Sequence, residues 1–179
     1  MNARRDNSSR RGFTLIEAAL SLVIVSVVAV AGLNAVSVAR KSRTHATEEV
    51  QGRMYADGLL AEIVAKRYRD AALPASALGP DATDDIGLAA WRTVDDVDDY
   101  NGFAMSPMTD EGGNTLSSGS WGCNVTVEWV AASNPGNVSA TESGVKRIRV
   151  AVYKGNRVVA RAAALRTLGT DTAMMGVTP

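Results

Sequence analysis

Arg10-Arg11-Gly12-Phe13-Thr14-Leu15-Ile16-Glu17 leads into a run from Ala18 to Ala39 that carries no charged residue. Ser21, Ser26, Asn34 and Ser37 are its only polar side chains, and Gly32 contributes none. A helix of this length rises about 33 Å, enough to cross a bilayer core of roughly 30 Å. Glu17 stands just inside the front edge of the run, four residues after Phe13. A carboxylate at the centre of a span costs roughly 2.5–3.5 kcal/mol on insertion scales, and less near the interface. Such a residue needs a partner or a polar depth.

Two ordinary readings compete for this segment. A secretory signal peptide shares the basic start and the apolar stretch. The run is too long for it, no small-x-small cleavage site with a polar follow-on succeeds it, and Glu17 lies at its start. A plain single-span anchor explains the length but neither Gly12-Phe13 nor Glu17. The basic leader places the N-terminus in the cytoplasm and the bulk outside, although Arg40, Lys41 and Arg43 on the far side weaken that asymmetry.

Arg-Arg-Gly-Phe-Thr-Leu-Ile-Glu followed by an apolar run resembles the N-terminal signature of type IV prepilins and of the related pseudopilins of type II secretion. In that family a membrane aspartyl peptidase cuts a basic leader after the glycine. The new first residue is N-methylated, and the fifth residue of the mature chain is a glutamate. Carried over here, the resemblance implies a cut between Gly12 and Phe13, methylation of Phe13, and an assembly glutamate at Glu17. Arg10, Arg11, Gly12, Thr14, Leu15 and Glu17 are then the residues that the peptidase and the assembly machinery read. A cytoplasmic cut fixes the orientation that the charges leave weak. Under this reading Glu17 faces the ammonium that cleavage creates on a neighbouring subunit, a pairing that sets axial register more than stability. The plainer alternative is that Glu17 reaches the interface beside its own N-terminus.

The chain has 179 residues and no formal net charge. The leader holds Arg4, Arg5, Arg10 and Arg11 against Asp6, so its loss takes four of 19 basic and one of 19 acidic side chains and leaves −3. That balance argues against nucleic acid as a direct partner. Cys123 is the one cysteine, so there is no disulfide within the chain, and its thiol is expected to be buried as a small hydrophobe. His45, the one histidine, has no second histidine or cysteine near it to share a metal and reads as a surface residue.

No proline interrupts Arg40 to Tyr68. Val50, Met54, Leu60, Ala61 and Val64 recur near helical spacing, with Tyr55, Leu59 and Ile63 widening the stripe. The helix is therefore expected to run from Phe13 to Tyr68 and to stop before Leu73-Pro74. Gly52 and Gly58 each weaken it by roughly 1 kcal/mol, which suggests a bend. Many major pilins carry a proline within the span, where this chain has Asn34 with Gly32 nearby. Residues 70 to 90 read as a loop.

Trp91 to Phe103 contains Asp95-Asp96-Val97-Asp98-Asp99-Tyr100-Asn101-Gly102-Phe103. This element resembles the D-V-D-D-Y-x-G-F passage in minor pilins of mannose-sensitive haemagglutinin (MSHA) pilus systems, the D-type subunit in particular. Val145 to Val152 is similar to a strand near the end of that subunit. The carboxylates of Asp95, Asp96, Asp98 and Asp99 invite a calcium reading. An EF-hand match fails, because Val97 stands at the first ligand position and Met108 where the closing glutamate belongs. A different calcium loop is one alternative, and an Asx-rich turn bonded to its own backbone is the simpler one.

Residues 104 to 120 read as an exposed glycine-rich loop. Val125, Val127 and Trp129 alternate with Asn124, Thr126 and Glu128, as do Ile148, Val150 and Val152 with Arg147, Arg149 and Ala151; both patterns predict half-buried strands. Ser133 to Gly144 reads as a long turn. Lys154-Gly155-Asn156-Arg157 reads as a hairpin turn returning a third strand, Val158 to Leu168. These strands should lie on Tyr55, Leu59 and Ile63. The fold expected is α+β of the type IV pilin kind, a long helix against a small antiparallel sheet. Its parts are a cleaved leader (1–12), a transmembrane and assembly segment (13–39), an amphipathic continuation (40–69), a periplasmic head (70–170) and a tail (171–179).

No phosphate loop, cysteine pair or nucleophile with a neighbouring histidine occurs in the sequence, so no catalytic constellation is read from it. The resemblance implies a substrate of the prepilin peptidase and N-methyltransferase rather than an enzyme, with no cofactor beyond the calcium alternative. The resemblance implies as partners the prepilin peptidase, other major and minor pilins, the inner-membrane assembly platform and membrane lipid. It implies a bacterial inner-membrane location and then a surface pilus. A type II secretion pseudopilin and a membrane-anchored periplasmic binding protein are the rival readings.

Overall fold

The computed structural model describes residues 12–70, 78–80, 94–109, 114–116 and 120–169. Helix α1 spans Leu15–Ala65. A short 3-10 turn, Asp98–Tyr100, precedes strands β1 (Ala104–Met105), β2 (Trp121–Ala131), β3 (Asn134–Val138), β4 (Val145–Lys154) and β5 (Arg157–Thr167). The class is α+β: one long N-terminal apolar helix and one small antiparallel sheet. The chain divides into two compact units, Met1–Ala46 and Thr47–Pro179.

In the first unit every leucine, isoleucine and valine from Leu15 to Val38 is at least 51 % exposed. Soluble chains do not leave an apolar surface of this extent bare. The helix is long and apolar enough to cross a membrane. Two of its hydroxyls bond the backbone one turn back: Ser21 Oγ donates to the Glu17 carbonyl at 2.8 Å and Ser26 Oγ to that of Leu22 at 2.7 Å. These bonds remove the cost of an unsatisfied hydroxyl in hydrocarbon.

In the second unit the sheet order is β1-β2-β4-β5, with β3 paired to β2 as well. β2 and β4 pair from Trp121↔Lys154 to Trp129↔Lys146. Val125, Val127, Ile148, Val150 and Val152 face inward, as their alternation predicts, and each is at most 2 % exposed. They meet Ala56, Leu59 and Ile63 of α1 and Val97, Tyr100 and Met105 from the intervening chain. Burying each large aliphatic side chain contributes roughly 1.5–3 kcal/mol. Cys123 is buried in this core, and burial pushes its thiol up to about 11.

The helix presents a different stripe from the one its largest residues suggest. Gly52, Ala56, Leu59 and Ile63 are buried, whereas Val50 and Met54 are exposed. The reason is close approach. A Cβ on Gly52 would lie 2.9 Å from Cγ1 of Val159, so this residue makes room for the sheet. Val159 reaches that place because the β4–β5 register shifts between Val152 and Tyr153. At the tip of the hairpin Glu48 pairs with Lys154 at 2.9 Å and with Arg157. The turn there has positive φ at Gly155 (57°) but not at Asn156, the pattern of a type II′ turn.

Three further expectations are corrected. The helix ends at Ala65, well ahead of Pro74, because the next residues are engaged sideways: Val97 N–H donates to the Arg67 carbonyl at 3.0 Å and Lys66 Nζ to that of Val94 at 3.1 Å. The segment after Phe103 is not simply an exposed loop, since β1 pairs with β2 and both Met105 and Met108 are buried. The turn after Ser133 contains β3, whose Val138 pairs with Val130. Residues 71–77, 81–93 and 170–179, with Leu73-Pro74, Trp91 and the tail, lie outside the described residues.

Candidate functional site

The N-terminal site is built on a helix start. The Thr14 carbonyl accepts from the N–H of Ala18 at 3.1 Å, and Thr14 Oγ1 accepts from that of Glu17 at 3.3 Å. Thr14 is therefore the N-cap and Glu17 the third helical residue, the spacing of a capping box. Gly12 and Phe13 precede the cap in non-helical backbone, and Phe13 is 75 % exposed. The Gly12–Phe13 bond thus lies in accessible chain with no helical hydrogen bond to break before a peptidase can take it. Arg10 and Arg11 lie outside the described residues.

Glu17 is the acidic residue of the first turn of α1. Its carboxylate favours the positive end of the helix dipole. An amine freed at Phe13 would stand close to one helical turn ahead of it. Leu15 and Ile16 between them are 90 % and 80 % exposed, leaving apolar surface for lipid or another helix. The arrangement leaves the Gly12–Phe13 bond accessible and sets an exposed carboxylate about one helical turn from the amine that a cut there would create.

The aspartates form a second constellation, in the other unit. Asp95, Asp96 and Asp99 each bring one carboxylate oxygen within 4.8 Å of the others. Much of their capacity goes to local backbone. Asp96 Oδ1 accepts from the N–H of Asp98 at 2.6 Å, and Asp99 Oδ2 from those of Asp95 and Asp96 at 3.2 Å. Asp95 pairs with Arg67 at 2.8 Å. Asp98 turns the other way, to the ammonium of Lys146. The four carboxylates are thus divided between two cations and their own turn. Burial raises the carboxyls of Asp96 and Asp98, the latter to about 6 against the pull of Lys146.

Lys146 escaped the sequence reading. It is fully buried and donates to the Tyr68 carbonyl at 2.5 Å. Tyr68 in turn donates its hydroxyl to Glu142 Oε1 at 2.6 Å, and burial first, then Glu142, raises its pKa. Arg166 Nη2, also buried, donates to the Lys66 carbonyl at 3.1 Å. The available signal was alternation: two residues back from Ile148 is Lys146, on the same face of the same strand. His45 is exposed.

Residues 7–33 match the family model for the prokaryotic N-terminal methylation motif. No curated protein and no solved structure is matched by the chain. The match covers the N-terminal site of Gly12, Phe13, Thr14 and Glu17 and the apolar run as far as Leu33. It makes the N-terminal segment prepilin-like, the kind of segment that a prepilin peptidase processes.

Proposed function

We propose that this chain is a minor pilin of an MSHA-like type IV pilus. It is cut between Gly12 and Phe13 by a prepilin peptidase and methylated at Phe13. The apolar helix holds it in the bacterial inner membrane with its head in the periplasm. An assembly platform then moves it, with other major and minor pilins, into a helical filament, where it primes assembly or sits at the tip. No cofactor is needed for this role.

The observation that carries the proposal is the order of features at the N-terminus. An exposed Gly12–Phe13 bond is followed by a Thr14-capped helix with Glu17 in its first turn, all within a segment matched as a methylation motif. In a filament core of low dielectric, a carboxylate without a counter-charge costs several kcal/mol, so subunits settle where Glu17 meets an amine. The Asp-Val-Asp-Asp-Tyr element supports the MSHA assignment, and its Val97 and Tyr100 are fully buried core residues.

The test replaces Glu17 by alanine in cells that make the filament. The mass of the chain should still fall by residues 1–12, and the protein should vanish from sheared filaments. Mature filaments containing the chain with its leader still attached would overturn the proposal.

A further inference from the structure

The face of the sheet turned away from α1 carries a depression of about 330 Å³ between β2, β4 and β5. Asn124, Thr126, Arg149, Ala151, Arg161 and Ala163 line it. The pairing register explains the grouping. Asn124, Ala151 and Arg161 form one cross-strand row, and Thr126, Arg149 and Ala163 form the next. Arg149 and Arg161 are therefore diagonal neighbours on adjacent strands, roughly 7–8 Å apart at the backbone, close enough for both guanidiniums to reach one group. The alanines between them form a low floor.

The charges of this face do not balance. Glu128 is shared by two cations, Arg147 and Arg149, each at 2.7 Å. Arg161 is exposed and has no ion-pair or hydrogen-bond partner among the described residues. Among the described residues of this face, three arginines thus stand against one carboxylate. A guanidinium offers a planar fork of donors that matches a carboxylate. The neighbouring amide of Asn124 and hydroxyl of Thr126 each donate and accept, as ring hydroxyls require. The volume lies at the low end of ligand pockets, room for one small ring.

We propose that this depression binds an acidic sugar, with the carboxylate between Arg161 and Arg149, ring hydroxyls on Asn124 and Thr126, and the apolar ring face on Ala151 and Ala163. The site is separate from the N-terminal segment and does not depend on the route by which the head reaches the surface.

The test uses the full chain in detergent micelles and titrates it with a galacturonate oligomer, a neutral galactose oligomer of equal length, and inorganic phosphate. The acidic oligomer should bind at least tenfold more tightly than the neutral one. Arg161→Ala should weaken it at least tenfold, Arg161→Lys should restore part of the loss, and Ala163→Trp, which fills the floor, should abolish it. These positions are exposed, so each variant should melt as the parent does. Phosphate at equal concentration should leave the oligomer bound. Absence of binding, unchanged binding in Arg161→Ala, or complete displacement by phosphate would overturn the assignment.

Discussion

The ammonium of Lys146 lies 3.9 Å from the centre of the Tyr68 ring and donates to the carbonyl of that same residue at 2.5 Å. Its other contact is the carboxylate of Asp98. One buried charge therefore joins β4, the chain just beyond α1 and the aspartate turn. A buried ammonium is tolerated only when it is paired and fully bonded, and here a carboxylate, a carbonyl and an aromatic face surround it.

Lys146→Met should consequently destabilise the head by about 3–5 kcal/mol, because it strands Asp98 without its counter-charge. Combining Lys146→Met with Asp98→Asn should recover part of that loss. Chemical denaturation of the full chain in micelles checks both. If the single variant is as stable as the parent, the clamp is not what holds these three segments.

The same pair gives an unusual pH response. Burial lifts the Asp98 carboxyl from 3.8 to about 6 even with Lys146 beside it. Between those values the folded chain binds more protons than the unfolded one, so this group's contribution to stability falls as pH rises. The melting midpoint of the parent relative to Asp98→Asn should therefore drop from pH 4 to pH 6 and stay level above pH 7. A relative midpoint that climbs over that interval would mean that the ammonium outweighs burial.

The N-terminal half and the sheet were legible in the sequence because each rests on one strong local pattern. An apolar run of roughly twenty residues is long enough to be a spanning helix whatever surrounds it, and Val125-Thr126-Val127 or Ile148-Arg149-Val150 alternates whatever packs on it. Val50 and Met54 fit the helical spacing yet stay out of the core for a different reason. Size marks a core residue only when the neighbour is far enough away to need filling, and at Gly52 the sheet comes too close. Lys146 is not legible in the sequence because a charge outweighs its place in the alternation until its partners are known, and those come from residues 68 and 98. The β-bulge that delivers Val159 has no local signature at all.

Gly52 and Gly58 should respond to alanine in opposite directions. At Gly58 nothing lies within 4 Å of the added Cβ, so Gly58→Ala should stabilise by about 0.5–1 kcal/mol through helix propensity alone. At Gly52 the new Cβ meets Val159 Cγ1 at 2.9 Å and its Cβ at 3.2 Å. Val159 is β-branched and stiff, so the strand must shift, and overpacking of this kind costs about 1–3 kcal/mol. Thermal melts of the two variants settle the matter, and a stabilised Gly52→Ala would show that the helix has room to move.

Under the proposed function, Thr14 would separate leader removal from filament entry. Its hydroxyl caps α1 at Glu17 N–H, yet it lies only one residue beyond Phe13. Thr14→Ala removes a cap worth about 0.5–2 kcal/mol and should fray the first turn, while Thr14→Ser keeps the hydroxyl and should not. Amide exchange in micelles should rise at residues 15–18 for the alanine variant alone. Fraying also loosens the position of Glu17, so filament entry should decline in Thr14→Ala while removal of the leader continues, since the Gly12–Phe13 bond proposed to be cut lies outside the helix. Equal loss of cleavage in both variants would instead assign Thr14 to recognition by the peptidase, where the methyl and hydroxyl together, rather than the cap, are what is read.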